Sequence, residues 1–397
     1  MSIVKRLVAV SHSCLLAVNR SIYRELQGSG WDVHLIVPDQ MHLGASNEPT
    51  LCERALDMDP EMHELSLSSR NPRTYRFRGL NDLLSKLKPD IVHLEVDPVS
   101  LLVLNVGKWI KKNSTGPLTC LSCENLPQDL PAILKRRGLR GLPGGIYKSW
   151  INNRAQKMVD HVFTLSDDGT RLFKSMNYQG VSKIPLGFDP TFFNVNHNSR
   201  ARIRKQLNIE SVLFAYFGRL VKEKGVHLLL ESLGTMKHLE WKLMLDQFEE
   251  ENEYSHSLKI QIQELGLAER VLFVHAQHGQ IADYMNASDI VILPSLSTPK
   301  WKEQYGRVAP EAMACGKLVI VARSGALPEL VGEYGITFEE DNVEELTKAL
   351  LAAFNKPCIL DYNKRAAQYA VNKLGVESQA ALMNHVFEEL IQATEGN

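Results

Sequence analysis

Cysteine is scarce. Six residues in a chain of 397 cannot scaffold a protein of this size, and four of them (Cys14, Cys52, Cys315 and Cys358) stand alone. The other two, Cys120 and Cys123, form one CxxC at the end of the run LTCLSC. A zinc centre would want a second pair, or two histidines at ligand spacing, and none follows, so reduced thiols and no metal or redox centre are expected. Long apolar runs are also missing: nothing approaches the ~18 residues of a membrane span. The opening MSIVKRLVAVSHSC has a short apolar patch broken by Ser-His-Ser and no small-residue cleavage pattern, so it reads as a first β-strand rather than an export signal, and a cytoplasmic location is expected. Neither GxxxxGK nor GxGxxG occurs, which disfavours a P-loop or a dinucleotide fingerprint. Net charge is only -1 and the aromatic-basic interleaving of an RNA module is absent, so nucleic acid is not an expected partner.

What is present is a globular composition, 44% hydrophobic and 23% charged, on a chain longer than one core usually serves. Two domains of roughly 150 to 200 residues are expected. Charge is unevenly spread: residues 1–190 hold 24 Lys and Arg against 19 Asp and Glu, and the remainder 21 against 27. Between Arg70 and Lys157, 16 basic residues face 6 acidic ones, so the first half carries a basic face.

Strand-like runs alternate with helix-length amphipathic segments, the pattern of repeated βαβ units and parallel sheets. LVAV, DVHLIVP, DIVHLE, LTCLS and HVFTLS supply the strands of the first half. VLFAYFG, WKLMLD, RVLFVH, DIVILPS and KLVIVA supply those of the second. Helical period is read at Leu15 to Leu26 and Val99 to Lys112, a new helix at about Ala201, and a terminal helix from Val376 with Leu382, Val386, Leu390 and Ile391 on one stripe. The seam falls in IPLGFDPTFFNVNHNSR, where Pro, Gly and Asn cluster. The division is therefore an N-terminal domain 1–190 rejoined by a helix over 376–397, and a C-terminal domain 191–375.

Doubly wound sheets bind ligands outside the carboxyl ends of their strands. The residues to weigh are therefore Ser11 to Ser13, Glu95 to Pro98, Cys123 to Pro127 and Ser166 with Asp167 in the first half. In the second they are Gly218 with Arg219, Asp246 to Phe248, His275 to His278, Pro294 to Ser297 and Arg323 to Ala326. In FGRLVKEKG, Arg219 offers a planar fork of donors and Lys224 a mobile point charge, a pair suited to a diphosphate. In WKEQYGRVAPEAMACG, Glu303 falls on a loop after DIVILPS and Glu311 in the first turns of a helix that Gly316 ends. A carboxylate in a first helical turn often only favours the helix dipole. Two of them, with Arg219, Lys224 and SGALPE at the carboxyl ends of one sheet, suit a sugar, a diphosphate and a ribose laid side by side.

These stretches resemble the retaining glycosyltransferases of family 4, and the resemblance runs from PDIVHLE through IPLGFDPTFF, FGRLVKEKGVHLLLESL and ASDIVILPS to WKEQYGRVAPEAMACGKLVIVARSGALPELVG. It implies the α/β GT-B fold, two facing Rossmann-like doubly wound domains with a C-terminal helix crossing back to the first. It also implies transfer of a sugar from a nucleotide diphosphate sugar, UDP- or GDP-linked, to a hydroxyl of a glycan or lipid-linked acceptor, without metal or other cofactor. By resemblance Glu311 holds the ribose hydroxyls, Glu303 lies near the donor sugar, and Arg219 and Lys224 take the diphosphate. Backbone amides around Tyr305, Gly306 and Arg307 would hold the sugar and distal phosphate, with Gly325 in SGALPE beside them and His275 near the base.

Two departures stand out. Where relatives carry a glycine-rich loop after the first strand, this chain reads SHSCLLAVN, so the His12 and Ser13 side chains are expected to replace backbone amides. Where several relatives place a histidine near the sugar, it has Glu124 and Asn125, and Glu124 is expected to bind a sugar hydroxyl or the acceptor. His93, inside IVHLE, is read as a core residue. The basic stretch Leu134 to Met158, LKRRGLRGLPGGIYKSWINNRAQKM, suits an anionic bilayer and hence peripheral contact with the inner membrane face. The competing reading is a non-catalytic subunit that binds a nucleotide sugar or glycan.

Overall fold

The computed structural model describes residues 4–42, 48–71, 73–247, 252–276, 278–355 and 360–395. Phe248, Gln277 and Cys358, named above, lie outside them. The chain divides into two units, Met1–Gly187 with Val376–Asn397 and Phe188–Gly375.

The first unit is built on a parallel sheet of seven strands: β1 (Arg6–Ser11), β2 (Asp32–Pro38), β3 (Glu61–Leu65), β4 (Ile91–Glu95), β5 (Leu118–Ser122), β6 (His161–Thr164) and β7 (Gly180–Lys183). Their order is β3-β2-β1-β4-β5-β6-β7. The second unit carries β8 (Val212–Tyr216), β9 (Trp241–Asp246), β10 (Val271–Val274), β11 (Ile290–Leu293), β12 (Leu318–Ala322) and β13 (Gly335–Phe338), ordered β10-β9-β8-β11-β12-β13 and all parallel. In each sheet the order reverses beside the first strand, which is where doubly wound folds open a crevice at the strands' carboxyl ends. In the first unit this point lies between β1 and β4, where Ser11 pairs with Glu95. In the second it lies between β8 and β11. The central strands are Val, Ile and Leu runs because both faces are covered. Leu7, Val8, Ala9, Leu213, Phe214, Val291 and Ile292 are all fully buried.

Three elements differ from the sequence expectation. The helix expected at Ala201 spans His197–Gln206, because the Asn196 side chain accepts from the Ser199 amide at 2.9 Å and caps it four residues earlier. Leu15 to Leu26 is not one helix but two short 3-10 turns followed by Ser21–Gly28. There the buried Arg20 guanidinium donates to the carbonyls of Cys14 (2.8 Å), Leu15 (3.1 Å) and Glu53 (2.6 Å) and pairs with Asp59 at 2.8 Å, taking acceptors a continuous helix would use. The terminal helix Val376–Glu395 buries Ile391 as expected but is otherwise rotated: Val376, Ala380, Met383 and Phe387 are buried with it, while Leu382 is 42% exposed. Phe387 sets that rotation, its ring packing against Trp31, His93 and Phe163.

Candidate functional site

In the second unit, Glu303 lies on the loop after β11 and is 5% exposed. Its Oε2 accepts from Lys224 Nζ at 2.6 Å and from Ser295 Oγ at 2.8 Å. The lysine ammonium also stands 4.9 Å from the centre of the Trp301 ring, a cation–π contact. The structure thus brings Lys224 and Glu303 together as an ion pair, although 79 residues separate them in sequence. Close approach of the loops makes this possible. Gly225, at φ +68, packs so tightly that a Cβ would fall 1.9 Å from the Pro294 carbonyl oxygen, and Gly325, at φ +54, would place one 1.8 Å from that of Glu303. At both positions a side chain is excluded by conformation and by space.

Glu311 lies in the first turn of the helix Val308–Ala314, among the buried residues Ala309, Pro310, Ala312 and Met313. It is 6% exposed, and among the described residues its carboxyl accepts no hydrogen bond. Burial pushes its pKa up to about 8, with the Arg307 guanidinium pulling part of the way back. A buried carboxyl without donors is poised for hydroxyls supplied from outside. Tyr305 is buried on the same loop, Gly306 follows it, and Arg307 precedes the helix half-buried. Arg219 is exposed after β8, and its guanidinium makes no ion pair among the described residues. His275 is exposed after β10, its Nδ1 donating to the Gln247 carbonyl at 2.8 Å.

In the first unit the loop SHSC is organised by Glu95, at the end of β4. Its carboxylate accepts from Ser11 and Ser13 Oγ on one oxygen and from Tyr23 OH on the other, the last two at 2.7 Å. His12 is bonded instead to Tyr75, Nδ1 to OH at 3.1 Å, and burial lowers its pKa against the pull of Glu95. Its ring is oriented by a phenol. A second cluster lies past β4 and β5, where Arg73, Asp97, Glu124, Gln128 and Lys148 line one cavity. Glu124 accepts from the Leu126 amide at 3.2 Å and faces Arg73 at 3.8 Å. Burial, then repulsion from Asp97, raises its pKa. Asp97 is raised by burial and accepts from Ser122 Oγ. Lys148 is pushed down to about 8 by burial and by Arg73. His93 is fully buried, its Nδ1 sharing a hydrogen bond with Thr119 at 2.8 Å, which fits the core role read from the sequence.

Some of these residues were open to sequence reading and others were not. Glu95 and Asp97 stand at the end of a strand, where position alone flags them. Arg73 sits in a loop and Lys148 in a helix, and nothing in their local sequence ties them to Glu124. Ser295 had the same positional flag, but its bond to Glu303 had no signal.

Residues 199–373 match the family model described as glycosyl transferases group 1. Among curated proteins, the chain is 26% identical over 185 residues to mannosylfructose-phosphate synthase of Agrobacterium fabrum, covering 44% of this chain and 40% of that one. It is 29% identical over 167 residues to lipopolysaccharide 1,2-N-acetylglucosaminetransferase of Salmonella typhimurium, covering 40% and 42%. The chain therefore spans about two-fifths of the length of the curated relatives it matches. In three dimensions it is similar to sucrose-phosphate synthase from Thermosynechococcus elongatus (TM-score 0.72, 19% identity, 98% of this chain and 100% of that one). It is also similar to HepE of Anabaena, solved in complex with UDP-glucose (TM-score 0.70, 18% identity, 97% and 100%). The fold is that of GT-B proteins, with two Rossmann-like parallel sheets.

Proposed function

We propose that this chain is a retaining glycosyltransferase that moves a sugar from a nucleotide diphosphate sugar, UDP- or GDP-linked, to a hydroxyl of a glycan or lipid-linked acceptor. The observation that carries the reading is the buried, donor-free carboxyl of Glu311, in the helix that follows β11, one of the two strands at the switch point of the second sheet. Two adjacent ribose hydroxyls would supply the hydrogen bonds it lacks. Arg219 and Lys224 would offset the charge that collects on the diphosphate as the bond to the anomeric carbon breaks and the nucleotide leaves with the electron pair. Glu303 fixes the ammonium of Lys224 and would orient a sugar hydroxyl. Tyr305, Gly306, Arg307 and Gly325 would shape the sugar and phosphate pocket, with His275 toward the base. The acceptor oxygen bonds to the anomeric carbon on the face the phosphate leaves, and its proton passes to the departing phosphate oxygen. No metal is required for that charge balance.

On the first unit, Glu124 would accept from an acceptor or sugar hydroxyl, and His12 and Ser13 would replace backbone amides at the loop after β1. A lipid surface is the proposed neighbour of the helix Leu142–Ala155 and the turn before it. Leu139 (84% exposed), Ile146 (56%) and Trp150 (45%) project there, and Lys135, Arg136, Arg137 and Arg140 flank them with the charge an anionic bilayer attracts. Among the described residues no helix is long and apolar enough to cross a membrane. A thermal-shift panel of nucleotide sugars tests the donor reading, since a ligand of the folded state raises apparent stability. Proton NMR of the product's anomeric coupling then tests retention. No shift with any donor would overturn the proposal; donor binding without hydrolysis or transfer would leave a binding subunit.

A further inference from the structure

At the edge of the first sheet three potential metal donors converge on one face. His34 on β2 is in register with Glu61 on β3, and His63 follows two residues on, so all three side chains leave the sheet on the same side. His34 Nδ1 is 3.0 Å from His63 Nε2 and 3.6 Å from Glu61 Oε2, and His63 Nε2 is 3.6 Å from Glu61 Oε1. Zinc bonds of about 2.0–2.2 Å at tetrahedral angles set their donors about 3.3–3.5 Å apart. The two nitrogens, which now share a hydrogen bond, stand a little closer than that edge, and each lies slightly beyond it from a different oxygen of Glu61, so a small adjustment brings one oxygen and both nitrogens onto one ion. The imidazoles lie stacked, centroids 5.3 Å apart and planes 23° from parallel, with nitrogens rather than ring faces at closest approach.

A second feature shows how the His34 ring would be oriented. His34 is 5% exposed, and its other nitrogen, Nε2, is buried without a hydrogen-bond partner, yet faces Asp32 Oδ1 at 3.5 Å. Asp32 is itself held by Arg6 Nε at 2.6 Å through its other oxygen. Once Nδ1 is metallated, Nε2 must carry the proton and aim it at that carboxylate, the arrangement that orients histidine ligands in zinc sites. Glu61 is 67% exposed, which leaves the fourth position open to water.

We infer that His34, His63 and Glu61 form a binding site for a zinc ion, oriented from behind by Asp32. It would clip β3, the edge strand, onto β2 across the segment 39–60 that separates them in sequence. His34 is the third residue of β2 and Glu61 the first of β3, so the site sits toward the amino ends of the strands, opposite the ends that carry the candidate chemistry. The site is independent of the proposed activity. The set of two histidines and one carboxylate suits zinc better than calcium or magnesium, which prefer oxygen donors throughout.

The test is equilibrium dialysis of the untagged, chelator-treated full chain against zinc, with metal measured by atomic emission, and a visible spectrum of the cobalt-substituted protein. A single zinc ion per chain is expected, with a tetrahedral cobalt spectrum free of thiolate charge transfer. His63→Ala and Glu61→Gln should lose the bound ion, and Asp32→Asn should weaken it about 10- to 100-fold. His63 is 19% exposed and Glu61 largely so, so these two variants keep the test valid if His34→Asn does not fold. Failure to retain zinc, thiolate bands, or retention unchanged in His63→Ala would each overturn the assignment.

Discussion

Replacing Glu311 with glutamine keeps the shape of the side chain and removes its titration, so the comparison isolates one buried carboxyl. In the fold, burial pushes that group up to about 8; unfolded, it returns to about 4.3. Between those values the native state holds a proton that the unfolded state has released. Stability from this group is thus present at low pH and is lost as pH rises toward 8, at about 1.4 kcal/mol per pH unit in mid-window. From pH 5.5 to 7.5 the wild-type chain should lose about 2.5 kcal/mol relative to Glu311→Gln. For a unit of this size that corresponds to a relative change in Tm of about 5–10 °C. Urea unfolding of both proteins across this range, followed on the transition of the unit carrying residues 188–375, reads it directly. The same proton links to ligand: hydroxyl donors favour the carboxylate, so nucleotide binding should tighten toward pH 8 in the wild type and stay flat in the variant. A stability difference constant from pH 5.5 to 7.5 would show that Glu311 is ionised in the fold and that its burial is not what matters.

Lys224→Met and Glu303→Ala each break an ion pair whose side chains are 18% and 7% exposed, so each alone should cost about 3 kcal/mol, the low end for buried pairs given the access of water to the lysine. Combined, they should cost clearly less than their sum; additive losses in denaturant titrations would mean that the two groups do not interact in solution. On the basic helix, Trp150→Ala with Ile146→Ala should reduce co-sedimentation with anionic phospholipid vesicles at least several-fold with only a small loss in Tm, because both side chains are largely exposed and Trp150 stacks on Tyr147 and Arg154. Equal sedimentation of the double variant and wild type would remove the lipid surface from the proposal.

The central strands were legible because residues buried on both faces must be apolar throughout, and VLFAY, IVIL and LVIVA admit little else. The strands that escaped notice, EMHEL, GVSK and GITF, lie at sheet edges, where half the residues meet water and turn-like composition is tolerated. The terminal helix was readable as a helix but not in rotation, because several apolar residues compete for the inward stripe and only the hollow between Trp31, His93 and Phe163 selects Phe387. In the site, position relative to strand ends pointed to Arg219, Ser295, Glu95 and Asp97. Pairing did not follow from position: Lys224 with Glu303, and Glu95 with Ser11, Ser13 and Tyr23, are long-range choices made by the fold. The isolation of the Glu311 carboxyl was equally invisible, since a glutamate in a first helical turn usually faces solvent.

The helix Val376–Glu395 ties the two ends of the first unit together. Phe387 fills the space between rings of the first unit, and Asn384 accepts from Trp31 Nε1 at 2.6 Å, so a hydrophobic core begun with residue 6 is closed by residues past 380. The unit spanning 188–375 is contiguous and holds all its own strands. The first unit thus draws its core from two stretches far apart in sequence, and the second from one continuous stretch. A chain ending before residue 376 would leave the space among Trp31, His93 and Phe163 open while keeping every strand of the second unit.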